Sequence, residues 1–198
     1  MLRWRLSRAR ALSRIPTLAA RLAVRTPRLE DLPGHPKAAV AVILAPDPDR
    51  LLLIRRAERE GDRWSGQLAF PGGRWGEGDA DLIATARRET LEEVGLDLTD
   101  APLLGALDDL APRTSALPPI VVRPFVFSVS TADLPMTNAE VADAWWIPLE
   151  LFEGDGVFGP MEYSRYGTLI RSVGYHLPVG VLWGMTERIL TPMLGLLR

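Results

Sequence analysis

Residues 72–96 read GGRWGEGDADLIATARRETLEEVGL, and the rest of the chain is best understood from this stretch outward. The spacing predicts a helix over residues 80–95, ended by Gly95. On that helix Glu89, Glu92 and Glu93 stand at i, i+3 and i+4, so their carboxylates share one face. Ile83, Leu91 and Val94 fall on the opposite side, which predicts a helix packed on a sheet through these three with the acids outward. Like charges at this spacing repel by about a few tenths of a kcal/mol per pair. A divalent cation turns that repulsion into binding, and hard cations such as Mg²⁺ take oxygen ligands, keep several waters and pair with phosphates. Asp79 and Asp81 are expected to cap the helix start.

On either side the pattern is one of short strands. Ala38–Ala45 (AAVAVILA) and Leu51–Arg55 (LLLIR) flank the turn Pro46-Asp47-Pro48-Asp49 and read as a hairpin. A polar loop with Gly61 and Gly66 leads to Leu68-Ala69-Phe70 and the breaker Pro71-Gly72-Gly73. Leu103–Leu107, Ile120–Val129 and Ala144–Ile147 are further strands, with Pro124 marking the second as an edge or a bulge. Gly167–Leu177 reads as another hairpin, and Val181–Leu197 as a closing helix interrupted at Pro192. Scattered strands with few helices predict an α+β sandwich rather than a βαβ series. Trp145 and Trp146 point to opposite faces of their strand, one toward the core. His35 and His176 are far apart, without metal-ligand spacing, and read as structural or exposed.

The 198 residues hold no cysteine, which excludes a disulfide scaffold, a thiolate zinc site and a cysteine nucleophile. The net charge of -2 hides an asymmetry: residues 1–29 carry eight arginines and no acid, leaving 15 basic against 25 acidic side chains beyond. An acidic body is a poor holder of a nucleic-acid backbone. The longest uncharged run, Ser172–Thr186, is too short and too rich in Gly and Pro to span a bilayer. Two parts are expected: an Arg-rich arm and linker over residues 1–36, forming one or two amphipathic turns, and a domain over residues 37–198. A cytoplasmic location is expected, with mitochondrial targeting by the arm as the alternative. Association of the basic arm with a membrane surface, and homodimerisation, stay open.

Arg88-Glu89-Thr90-Leu91-Glu92-Glu93-Val94-Gly95-Leu96 resembles the second half of the Nudix box, G-x5-E-x7-R-E-U-x-E-E-x-G-U, with Thr90 at the first aliphatic position. Gly73 lies one residue further from Arg88 than that pattern requires, and Asp79 takes the first acid position. The extra residue and the Phe70-Pro71-Gly72-Gly73 lead-in resemble the coenzyme A pyrophosphatase branch of the superfamily, whose upstream signature has the form LLTxRSx3Rx3Gx3FPGG. Leu52-Leu53-Ile54-Arg55-Arg56-Ala57 is similar to its start and Gly66–Gly73 to its end. Ala57 replaces Ser, the spacing is one residue longer, and Arg63 comes one place late. Trp183-Gly184-Met185-Thr186 is also similar to that branch. The likeness covers roughly residues 38–190.

The resemblance implies a Nudix-type α/β/α sandwich, a mixed sheet with the motif helix on one side and a C-terminal helix. It implies hydrolysis of a nucleotide-like diphosphate with Mg²⁺ or Mn²⁺: coenzyme A or an acyl-coenzyme A, giving 3',5'-ADP and 4'-phosphopantetheine. The alternatives are ADP-ribose, NADH or another nucleoside diphosphate derivative, and a binding module without catalysis. Glu89 and Glu93 are the implied first-choice metal ligands, with Glu92 as third ligand or as holder of the water and the carbonyl of Gly73 as a further ligand. Arg88 is expected to orient the glutamates, and Glu140, in the loop before Trp145, to act as general base. Arg56 and Arg63 are expected to meet substrate phosphates beside Gly72, with Arg55, Arg59 and Arg113 as further candidates.

Overall fold

The computed structural model describes residues 12–112, 118–165 and 168–198, the side chains of Arg165 and Thr168 excepted. Helix α1 (Ile15–Ala23) comes first, followed by strands β1 (Lys37–Ala45), β2 (Arg50–Arg56), β3 (Leu68–Ala69) and β4 (Gly72–Arg74). Helix α2 (Leu82–Val94) is next, then β5 (Leu103–Ala106), β6 (Val121–Ser128), β7 (Val141–Pro148) and a 3₁₀ turn at Leu149–Phe152. The chain closes with β8 (Phe158–Arg165), β9 (Thr168–Leu177), β10 (Gly180–Trp183) and helix α3 (Gly184–Gly195).

Strand β1 is the axis of a mixed sheet because it is apolar on both faces. One edge pairs in parallel with β6, from Lys37↔Val121 to Leu44↔Ser128. The other edge is shared: β4 pairs along Ala38–Val40, and β2 joins only at Leu44 and Ala45. The predicted hairpin is therefore formed only beside its turn: further along, β4 takes the edge of β1 and β3 that of β2, while β7 pairs antiparallel along the other edge of β2. Alternation sorts the side chains of β1 and β2. Ala39, Ala41, Ile43, Leu52 and Ile54 face α2, whereas Val42, Leu44, Leu51 and Leu53 face α1, α3 and the second sheet β8–β9–β10. Trp146 follows the first group and Trp145 the second, on opposite faces as expected.

Several expectations are corrected. Pro124 lies in β6 between β1 and β5, not at an edge; its carbonyl accepts from Leu107 just beyond the end of β5, where regular pairing has stopped. The closing helix starts at Gly184, because residues 181–183 complete β10, and it runs through Pro192. Strand β8 was not legible in the sequence, its Gly159 and Pro160 being tolerated because it is an edge strand. Helix α2 is turned about its axis relative to the expectation. Leu91 is exposed, and the buried residues are Thr85, Ala86, Thr90, Glu93 and Val94. Small residues allow the helix to lie close on Ala39 and Ala41, and that closeness outweighs burial of one leucine.

Residues 12–31 are closely integrated with the body. Ile15, Leu18 and Leu22 enter the same core as Ile189, Leu190 and Met193 of α3. The arginines find partners in the body: Arg14 on Glu153, Arg25 on Asp108, and Arg21 on the carbonyl of Leu196 at 2.7 Å. The backbone is held too, with Arg14 N–H donating to Asp49 and Glu30 N–H to the buried Asp109. No helix among the described residues is long and apolar enough to cross a membrane. Deleting residues 1–30 uncovers three large apolar side chains' worth of core, at about 1.5–3 kcal/mol each. The expected result in urea denaturation is a loss of about 5 kcal/mol or failure to fold; an unchanged midpoint would show the segment to be dispensable.

Candidate active site

Helix α2 starts at Asp81, whose carboxylate accepts from the Ala84 N–H at 2.8 Å, and stops at Gly95 in the left-handed conformation. Between these caps the three glutamates form a gradient of burial. Glu93 is 2% exposed and lies at the centre of the buried arc. The Glu89 side chain is 15% exposed, at the edge of that arc, and the Glu92 side chain 54% exposed, outside it.

Glu93 reaches the start of β4, where one carboxylate oxygen accepts from the Gly72 N–H at 2.9 Å. Burial pushes its carboxyl up to about 7, against the opposing pull of that N–H; neighbouring Glu89 raises it further, and Arg56 counteracts. Glu89 is also raised, chiefly by burial, with Arg88 pulling down and Glu92 and Glu140 pushing up. The two glycines of the lead-in do separate jobs. A side chain on Gly72 would lie 2.3 Å from the Ala39 carbonyl oxygen, with φ at +153°. A Cβ on Gly73 would instead meet the Glu89 carboxylate at 2.4 Å, so this glycine leaves the space in which that acid sits. The backbone of Gly73 itself lies opposite Ala39 in the β1–β4 ladder.

Arg88 organises the acids around it. Its Nε and Nη2 donate to the two oxygens of Asp79 at 2.8 and 2.9 Å. Its Nη1 donates to Glu89 at 2.8 Å and Glu92 at 3.1 Å, and Nη2 also reaches the Arg74 carbonyl. Asp79 is therefore not a cap. It is buried beneath Arg88, which holds its carboxyl well below the usual carboxylate range, and it also accepts from the Gly76 N–H at 3.0 Å and the Thr85 hydroxyl at 2.9 Å. Neither partner carried a sequence signal, since Thr85 and Gly76 meet Asp79 only once loop and helix have folded together.

The remaining candidates fall on two loops. Arg56, at the end of β2, donates to Asp62 at 2.9 Å and feels the charge of Glu93. The loop that follows is closed by Ser65, whose Oγ accepts from the Arg59 N–H and donates to the Arg59 carbonyl. Arg63 lies on this loop, its carbonyl accepting from Gln67. Glu140 is half-exposed, pairs with Arg59 at 3.0 Å, and contributes to the negative field on Glu89 and Glu93. Arg55 turns away, donating to the Val179 and Gly66 carbonyls with its guanidinium 5.5 Å from the Trp145 ring centre, and so serves the opposite face. Arg113 lies outside the described residues. His176 Nε2 is near the Pro160 carbonyl and His35 Nδ1 near that of Pro33.

Among the described residues no three carboxylate, imidazole or thiolate side chains cluster closely enough to cage a cation unaided. The donor set nevertheless fits a hard cation. Glu89 and Glu93 are buried beside each other's charge, Arg88 spends most of its donors elsewhere, and Mg²⁺-type sites use one or two carboxylates with water and phosphate completing the shell.

Because Glu93 in the folded chain binds its proton more tightly than an unfolded glutamate, stability is full below about pH 4.3 and falls as pH rises through about 7, by up to about 3 kcal/mol. Denaturation of the chelator-treated protein from pH 5 to 8 should show that fall, and Glu93→Gln should flatten it. Gly72→Ala should lower stability by about 2 kcal/mol or more through backbone overlap. Gly73→Ala should unfold close to the parent yet lose divalent-cation binding measured by calorimetry, because only the mobile end of Glu89 must give way.

A NUDIX domain family model matches residues 35–164. An uncharacterized protein of Schizosaccharomyces pombe is 42% identical over 104 residues, half of this chain but only 32% of the yeast protein's length. The uncharacterized Nudix hydrolase NudL of Photorhabdus laumondii is 32% identical over 164 residues, covering 82% of this chain and 84% of that one. Among solved structures, a MutT/nudix family protein from Enterococcus faecalis aligns with a TM-score of 0.51 at 16% identity, over 87% of this chain and 62% of that one, a likeness of fold alone. The family model spans most of the chain, the NudL relative aligns along four-fifths of both sequences, and the glutamate-bearing helix lies within the match: the chain belongs to the Nudix family.

Proposed function

We propose that the chain is a divalent-cation-dependent diphosphatase that hydrolyses coenzyme A or an acyl-coenzyme A to 3',5'-ADP and a 4'-phosphopantetheine. The observation that carries the reaction class is the buried pair Glu89 and Glu93, two carboxylates whose ordinary ionisation is opposed by their surroundings, set against a glycine corner. The substrate branch rests on the FPGG lead-in and on the arginine-bearing stretch upstream of it, from which the charge of Arg56 acts on Glu93.

In this reading Glu89 and Glu93 hold Mg²⁺ or Mn²⁺ beside the Gly73 carbonyl, and Glu92 is either a third ligand or the holder of the water. When bound, the cation stabilises charge on the diphosphate oxygens and eases ionisation of water. Arg88 keeps Glu89 and Glu92 in place rather than touching substrate. Arg56 and Arg63 receive phosphate oxygens, and Gly72, lacking a side chain, lets the substrate approach. Glu140 accepts the proton of the attacking water once a substrate phosphate draws Arg59 from it. One bridging P–O bond breaks, the water oxygen takes its place on phosphorus, and both products leave as phosphomonoesters.

The test is turnover of coenzyme A, acetyl-coenzyme A, ADP-ribose and NADH with and without Mg²⁺ or Mn²⁺, products identified by mass. Cation-dependent release of 3',5'-ADP with preference for coenzyme A is expected, and Glu93→Gln should cut it by about 100-fold or more. Preference for ADP-ribose or NADH would overturn the substrate and leave the chemistry. Absence of turnover on every substrate would overturn the enzyme reading.

A further inference from the structure

The first half of this chain's box departs from the family pattern: an additional residue separates the first acid from the arginine, and that acid is an aspartate, one methylene shorter than glutamate. Both changes alter the reach between the two partners. The structure nonetheless holds a two-pronged Asp79–Arg88 pair, at 2.8 and 2.9 Å. Beneath it lies Thr85, wholly buried, at a position the motif leaves unspecified. Its hydroxyl lies 2.9 Å from Asp79 Oδ2 and 3.2 Å from the Asp81 carbonyl. The hydroxyl has a single proton, and the nearer, charged oxygen is the stronger acceptor.

We propose that Thr85 is a positioning residue for the cation site, acting through Asp79 and Arg88 on Glu89 and Glu92. The proposal rests on the reading of Glu89 and Glu93 as cation ligands. The chain of contacts is continuous. The Thr85 hydroxyl and the Gly76 N–H fix Asp79 Oδ2, and Asp79 fixes both the Nε and Nη2 edges of Arg88. The remaining nitrogen, Nη1, is thereby aimed at Glu89 and Glu92. Thr85 stands one turn before Glu89 on the same helix, so it joins the loop that carries Asp79 to the face that carries the acids. A helix residue without that hydroxyl leaves Asp79 one donor short and the guanidinium free to swing along its exposed side. The cost falls on the geometry of Glu89, the acid that Gly73 makes room for.

The test separates positioning from simple stability. Mn²⁺ is titrated into the purified, metal-depleted chain, with free Mn²⁺ read by its electron paramagnetic resonance signal, so that affinity is measured without turnover. Thr85→Val, which keeps the shape and deletes the donor, should weaken Mn²⁺ binding about ten-fold, the low end of the effect of one lost hydrogen bond to a charged group. Thr85→Ser should return it to within about two-fold. In an Arg88→Gln background the valine substitution should add nothing, because the path from Thr85 runs through Arg88. A folded Thr85→Val that binds Mn²⁺ as tightly as the parent would overturn the proposal, as would a loss that adds in full to that of Arg88→Gln. If Thr85→Val does not fold, Asp79→Asn applies the same criterion from the other partner. A parent chain that binds no Mn²⁺ would overturn the cation reading itself, and the proposal with it.

Discussion

How closely α2 lies on β1 and β4 governs the site. The helix presents Ala86 and Thr90, the sheet presents Ala39 and Ala41, and β4 enters through two glycines. Small residues on both sides bring the helix near enough for Glu93 to reach the Gly72 N–H. The consequence is a carboxylate almost fully out of water with a single described hydrogen bond from the backbone. Burying a charge that is only partly compensated costs free energy, which appears here as the upward displacement of the Glu93 ionisation. Packing elsewhere sustains that cost, and a cation held as proposed would relieve it.

Arg88 offsets part of the charge on the rest of the acidic face, though burial still raises Glu89. Its donors are distributed between Asp79 on one side and Glu89 and Glu92 on the other, so the guanidinium neutralises charge while leaving Glu93 to the glycine corner. Asp79 and Arg88 stabilise each other's charged forms, and the first acid of the motif acts inside the protein as a counter-ion. The outcome is a division of labour among four carboxylates of the same stretch: one clamps the arginine, one is turned outward, and two converge on the sheet.

The opposite face of the sheet supplies the rigidity. Helices α1 and α3 and the three-stranded sheet bury Val42, Leu44, Leu51 and Leu53 beneath them. The arginines of residues 14–25 bind acids and carbonyl oxygens scattered over the body, so their charge is spent on holding α1 in place. Arg55 belongs to this side, tied to the loop before β10, while its neighbour Arg56 belongs to the other. Where the β2–β7 register shifts between these two residues, Arg55 turns to the Val179 carbonyl and Arg56 to Asp62, on the side where its charge acts on Glu93.

Much of this was legible in the residues. The caps Asp81 and Gly95, the helix between them, the apolar run of β1 and the i, i+3, i+4 glutamates are local patterns that the backbone obeys whatever surrounds it. The rotation of α2 about its axis was not legible, because apolar periodicity favours Leu91 inward, whereas close contact with alanine-lined strands favours Ala86 and Thr90. Nor was the part played by α1, since an acid-free, arginine-rich segment looks the same whether its partners are solvent or distant aspartates. The sequence by itself determined the family, the helix and the identity of the acids, because these depend on residue type and short spacing. The tertiary structure alone decided which glutamates are buried, which arginine faces them and what holds Asp79, because burial and electrostatic partnership are set by residues far apart in the chain that packing brings together.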